Sequence, residues 1–295
     1  KQSIGSKFRD FRAGWSLHDA LGELGEDLPE AIELLSGAAR PILDRWFESD
    51  VLKSTLATDA IIGTFQPISA PGTGYVLLHH VMGSAGGARG VWGYVEGGMG
   101  ALSNALAAAA TQRGVEIRTA ATVQKIETRD DSVTGVIVDG ELITAGRVAS
   151  NIDAHQTFRR LVSGSALSET FVRAVDRIDY SSASAKINLA VDQLPDFRCC
   201  PGHTEVGPQH RGTIHIGTGC EYLETAYDDA RQGRISTRPI VEMTIPTSVD
   251  STLAPPGHHV LSLFVQYAPY QLADGPWDDA ARQLLLDRCL TEIAR

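Results

Sequence analysis

The sequence is poor in the features that would commit it to a membrane, a metal or a nucleic acid. Its longest apolar runs, Ile61 to Phe65 and Val260 to Val265, fall far short of the ~20 residues that cross a bilayer, so no transmembrane segment is expected. Peripheral contact with a membrane stays open. Cysteine is sparse: Cys199, Cys200, Cys220 and Cys289 include no CxxC spacing, which argues for reduced thiols and against a zinc site or a redox pair. No metal is expected. Lysine and arginine number 26 against 36 aspartates and glutamates, a net charge of -10 that repels phosphate backbones. No basic run interleaved with aromatics offsets it, so nucleic acid is not an expected partner. The chain opens on Lys1-Gln2-Ser3 without Met or a leader pattern and reads as an excised piece. Finally, no strand is followed by Gly-x-Gly-x-x-Gly, so the usual phosphate-binding turn of a dinucleotide fold is missing.

What is present suits an ordered globular chain. With 295 residues, 43% hydrophobic and 21% charged, it can bury a sizeable core in one large or two ordinary domains. The first 60 residues read as helices: Pro29 stands in a first helical turn, with Ile32, Leu34 and Leu35 on one face. A second helical period starts at Arg40-Pro41 and runs through Trp46, Phe47 and Leu56, and Trp46 and Phe47 read as core. From Gly63 to Gly100 glycine and proline dominate, and irregular structure around a strand or two is expected there. His79 and His80, within this stretch, read as interior histidines rather than metal ligands.

The most informative segment is Tyr94 to Phe158. Gly97-Gly98-Met99-Gly100 precedes a run of helix formers that ends at Gly114, the place of a left-handed cap. Val115 to Val123 alternates and predicts a strand. Val133 to Val138 and Glu141 to Thr144 then flank Asp139-Gly140, a type I′ hairpin signal. A short strand at Arg147 to Ser150 is expected to end at Asn151-Ile152-Asp153, residues suited to a turn or a helix cap. Further strands are predicted at Ala185 to Val191, Thr213 to Ile216, Pro239 to Ile245 and His258 to Tyr267. An amphipathic helix closes the chain from Trp277 to Arg295. The expected fold class is α+β: a mixed, largely antiparallel sheet with helices packed on it, plus a helix-strand-hairpin portion.

This segment resembles the phytoene-desaturase branch of the flavin amine-oxidase superfamily. The resemblance rests on Gly97-Gly98-Met99 opening a helix, Val123-Gln124-Lys125-Ile126 in a strand, and Ser150-Asn151-Ile152-Asp153 after the hairpin. Asp44-Arg45-Trp46-Phe47, Trp92-Gly93-Tyr94-Val95 and Leu253-Ala254-Pro255-Pro256-Gly257 extend the match over about residues 28 to 280 and point to one subgroup. The resemblance implies that the helix-strand-hairpin portion belongs to an FAD-binding α/β domain. Its domain boundaries would be 1–95 and 154–295 for a substrate domain and 96–153 for the returning part of the FAD domain. Gly97, Gly98, Met99, Val123, Asn151 and Asp153 would contact the cofactor, the valine through its main chain. Two departures matter. The Gly-x-Gly-x-x-Gly turn and the family's C-terminal glycine-rich FAD segment are absent, and Glu96 stands where many carotenoid desaturases have arginine.

The function the resemblance implies is hydride transfer from an apolar or amphipathic small molecule to flavin in a complete protein, this chain being the substrate-domain fragment and inactive alone. FAD would be the parent's cofactor and would not be bound by this chain. The catalytic residue stays unassigned: sets assembled from His79, His215, Asp153 or Cys220 have no selecting spacing. The alternatives are a non-catalytic domain for apolar ligands or lipids, and a protein-interaction domain. An uncovered apolar domain face would drive association, so a homo-oligomer is expected. The alanine- and glycine-rich composition favours a bacterial cytoplasm, and the resembled subgroup a mitochondrial matrix.

Overall fold

A computed structural model describes residues 21–180, 184–202, 205–217 and 219–295. They form two compact units. One combines the described residues up to Met99 with those from Ser184 onward; the other spans Gly100–Tyr180.

The first unit begins with helices. α1 (Leu28–Ser36) carries proline in its first turn, where the missing N–H costs nothing. The helical period beginning at Arg40 divides into α2 (Ala39–Trp46) and α3 (Asp50–Asp59), because Phe47 is extended and Ser49 starts a new helix by accepting a hydrogen bond from Leu52 N. Lys53 Nζ reaches back to Asp44 at 2.7 Å across this break. The stretch after Pro71, expected to be irregular or extended, is instead α4 (Thr73–Val81). A short apolar run does not distinguish helix from strand by periodicity. Packing decides here: a Cβ on Gly74 would lie 2.8 Å from Leu34 O, so its glycine lets α4 lie directly against the end of α1. A minimal hairpin follows, β1 (Ser84–Ala85) with β2 (Ala88–Arg89).

α5 (Gly98–Gln112) leads into the second unit, and Gly114 closes it at φ +80°. A three-stranded antiparallel sheet follows, in the order β3 (Val123–Arg129), β4 (Ser132–Val138), β5 (Glu141–Thr144). The Asp139-Gly140 hairpin forms as expected, with φ of 50° and 82°. The predicted extension of β3 back to Val115 does not form. Val123 already pairs with Val138, the last residue before the turn, so β4 offers nothing further to bond, and Ala120 is left-handed at φ 53°. The strand predicted at Arg147 to Ser150 is also absent, as no ladder reaches beyond Thr144. Asp153 caps a single helical turn, and α6 (Glu169–Asp176) starts on Ser168. Buried Ile126 and Val175 and the edge-to-face pair Phe158–Phe171 make up the unit's core.

The chain then returns to the first unit with β6 (Ser184–Val191), β7 (Ile214–Ile216), α7 (Cys220–Arg231), β8 (Ile240–Thr244), β9 (His259–Gln266) and α8 (Asp279–Ile293). The strands form one antiparallel sheet in the order β6-β9-β8-β7. Because side chains alternate along a strand, the sheet has two unlike faces. Val241, Met243, Leu261, Leu263 and Val265 face a core completed by Leu285 and Cys289 of α8. On the other face, Ile240 joins Ala57, Leu77, Leu223 and Ala226 of the helical layer, and Tyr267 donates a hydrogen bond to Gln66 O at 2.6 Å. The fold is α+β with antiparallel sheets, as expected. No helix among the described residues is long and apolar enough to cross a membrane.

Candidate functional site

Next to Ile240, the helix-facing side of the four-stranded sheet turns polar. The strand register aligns Lys186, Phe264, Glu242 and His215 in one row across all four strands. A second row contains Asn188, Ser262 and Thr244, with Ser262 Oγ donating to Asn188 Oδ1 at 3.1 Å. Lys186, Glu242, His215, Asn188, Ser262 and Thr244 of these rows floor a cavity of about 800 Å³ within the first unit, to which Thr213 also contributes. Its walls are largely apolar: Ile62, Trp92, Tyr94, Met99, Leu253 and Val260. An apolar enclosure with a few convergent polar groups is the usual form of a small-molecule site.

Three groups set the electrostatics of its polar end. Glu242 is only 8% exposed, and its Oε1 has no hydrogen-bond partner. Burial, followed by the charge of Asp59, pushes its carboxyl up to about 7. Gln266, on β9, offsets part of this, although its Nε2 makes no hydrogen bond of ordinary geometry. Asp59, at the end of α3, is itself raised by burial, against the opposing pull of His80 and His215. Burial lowers His215, despite the favourable charge of Asp59, so the neutral imidazole is favoured. Thr58 Oγ1 lies 2.8 Å from Thr55 O and 3.2 Å from His215 Nδ1. When the hydroxyl gives its one proton to Thr55 O, His215 Nδ1 donates to Thr58 and Nε2 is the acceptor.

The glycine pair stands at the same cavity. Gly97 and Gly98 both have φ +78°, and Gly98 and Met99 line the wall, Met99 being 69% exposed. Their amides are already used: Gly97 N donates to Asp250 Oδ2 at 2.7 Å and Gly98 N to Val95 O at 2.9 Å. Asp250 also accepts from Thr252 N and Oγ1, and these bonds, that from the Thr252 hydroxyl foremost, lower its pKa. The other sequence candidates belong to the second unit. Val123 opens β3, an edge strand; Asn151 is exposed; Asp153 accepts from Gln156 N at 2.8 Å as a helix cap. Among the described residues, no group of three or more His, Cys, Asp and Glu side chains could hold a metal ion. Cys220 and Cys289 are buried, and burial raises their thiols to about 11 and about 12, far from a reactive thiolate.

Asp59 and Glu242 escaped the sequence reading, and His215 entered it only in unselected combinations. They are brought together by strand pairing and helix packing between distant segments. The available signal was the lone carboxylate in Ile240-Val241-Glu242-Met243-Thr244, a charge in the middle of an otherwise apolar strand.

The cavity does not suit the pyrophosphate of a dinucleotide. Asp59, Glu242 and Asp250 face it against Lys186, and the glycine amides that would cradle a phosphate are taken. Its composition fits an uncharged or amphipathic body.

Comparison with known proteins agrees with a flavoprotein relationship. Residues 3–295 match the model of flavin containing amine oxidoreductases. The chain is 45% identical over 273 residues to pyridine nucleotide-disulfide oxidoreductase domain-containing protein 2 of Rattus norvegicus, covering 90% of this chain and 47% of that protein. It is 29% identical over 168 residues to a phytoene dehydrogenase of Streptomyces griseus, covering 57% of this chain and 29% of the relative. In fold, it is similar to the crystal structure of an oxidoreductase from Methanosarcina mazei, with TM-score 0.58 and 22% identity over 88% of this chain and 53% of the other. The chain thus spans about half, or less, of the length of these relatives. With the match running over nearly all of its 295 residues, the chain belongs to the flavin-containing amine oxidoreductase family.

Proposed function

We propose that this chain supplies the substrate-binding part of an FAD-dependent oxidoreductase whose substrate is an apolar or amphipathic small molecule. The observation that carries this reading is the cavity of about 800 Å³, with an apolar wall over a polar sheet floor, contained within one compact unit. In a flavoenzyme the flavin supplies the redox chemistry, here acceptance of a hydride, and the protein supplies orientation and a dry pocket. The residues of this chain would do the second task. Trp92, Tyr94, Met99 and Leu253 enclose the body of the ligand, and the Glu242 and Asn188 rows orient its polar end. Gly97, Gly98, Met99, Val123, Asn151 and Asp153 are proposed as flavin contacts of the complete protein. For Val123 the support is its place at the start of the edge strand β3, three residues before the bridge from Ile126 to Val162 that covers part of the outer side. By itself the chain is proposed not to retain FAD, for want of a pyrophosphate cradle among its described residues.

Native mass spectrometry of the purified chain tests this. A co-purifying apolar or amphipathic molecule without FAD is the expected result; stoichiometric FAD would contradict it.

A further inference from the structure

The cavity floor contains an imbalance that narrows the ligand class, an inference that rests on the substrate-pocket reading above. Its polar end is rich in acceptors. Glu242 Oε1 is buried without a partner, His215 Nε2 accepts when Nδ1 donates to Thr58, and the charge of Asp59 acts on both. The ammonium of Lys186, in the same row, is the one side-chain cation lining the cavity among the described residues. A buried acceptor without a donor costs about 1–3 kcal/mol. A pure hydrocarbon filling the cavity would leave that deficit in place, and a group that only accepts hydrogen bonds would add to it. A group that donates would remove it.

We propose that Glu242, together with His215, anchors a hydrogen-bond-donating head group, a hydroxyl or an amine, of an amphipathic ligand. Its apolar body lies against Trp92, Tyr94, Leu253 and Val260. Glu242 is thereby a specificity residue that selects against hydrocarbons and against ethers or esters of the same size.

Three probes of equal heavy-atom count separate the terms: 1-octanol donates and accepts, methyl heptyl ether only accepts, and nonane does neither. Isothermal titration of the 295-residue chain at pH 8.5, where Glu242 is ionised, should give about tenfold tighter binding of 1-octanol than of the ether or the alkane. Glu242→Leu, which leaves His215 as the remaining acceptor, should reduce that preference to about threefold or less and leave nonane binding unchanged. Its melting temperature should rise, since an unpaired carboxyl is removed, and this reports that the variant is folded. If it does not fold, Glu242→Gln, which conserves volume and removes the charge, should still reduce the preference. Equal binding of alcohol and ether, or a preference undiminished in both variants, would overturn the assignment of Glu242 while leaving the cavity intact. Failure of all three probes to bind would overturn the cavity reading, and this inference with it.

Discussion

Glu242 concentrates the energetics of the site in one side chain. Asp59 from α3 and Gln266 from β9 act on it, His215 pairs with it across β7 and β8, and burial dominates. Its folded pKa, about 7, stands above the ordinary value of 4.5. The folded state therefore holds the proton more tightly than the unfolded chain. Stability is lost as pH rises from 4.5 through 7, with an order-of-magnitude cost of about 3 kcal/mol above that window. Glu242→Gln should raise the melting temperature relative to the parent more at pH 8 than at pH 5.5; an equal effect at both would contradict the shift. Gly98 tests the neighbouring wall. At φ +78°, with Leu253 Cδ2 at 3.2 Å from an added Cβ, Gly98→Ala should destabilise by about 1–2 kcal/mol in chemical denaturation. A neutral substitution would mean that the close approach to Leu253 is dispensable.

Between elements, the attachment of α8 to the sheet shows which ion pairs matter. Glu292 is almost fully buried and receives three hydrogen bonds from Arg238 at 3.2–3.3 Å, with Arg295 also at 3.3 Å. Arg238 stacks over Tyr222 as well, 4.7 Å from the ring centre. Arg238→Ala should cost about 1–3 kcal/mol, because a buried carboxylate keeps Arg295 alone. Lys125→Ala, which breaks an exposed pair with Glu127, should stay within about 0.5 kcal/mol. Urea unfolding of the two variants separates these cases. Elements whose signals are local were legible in the sequence: the Asp139-Gly140 hairpin, the Gly98–Gln112 helix and the four strands of the main sheet. α4 was not, because its apolar run suits either helix or strand, and Gly74 against Leu34 decides the matter through packing. Of the site, the glycine pair was legible as a turn motif. The Lys186, Glu242 and His215 row was not, because its members lie on different strands and only sheet register aligns them.

At the scale of the whole molecule, the proposal that the chain holds an amphipathic molecule and not FAD rests on charge and on the engaged glycine amides among its described residues. The cavity is acidic, the net charge is -10, and the amides of Gly97 and Gly98 are engaged. In this cavity a dianionic pyrophosphate meets three carboxylates and one lysine, whereas an amphipathic molecule has both an apolar wall and a polar floor. A ligand at a hundred times its dissociation constant adds about 2.7 kcal/mol of stability, and each kcal/mol moves the melting point of a chain near this size by about 2–4 °C. The most direct test is a thermal melt of the 295-residue chain run in parallel with saturating FAD and saturating 1-octanol. A rise of about 5–10 °C with the alcohol and no change with FAD is the predicted result. A saturable rise with FAD, or none with the alcohol, would contradict the assignment of this chain as a substrate pocket without a dinucleotide site.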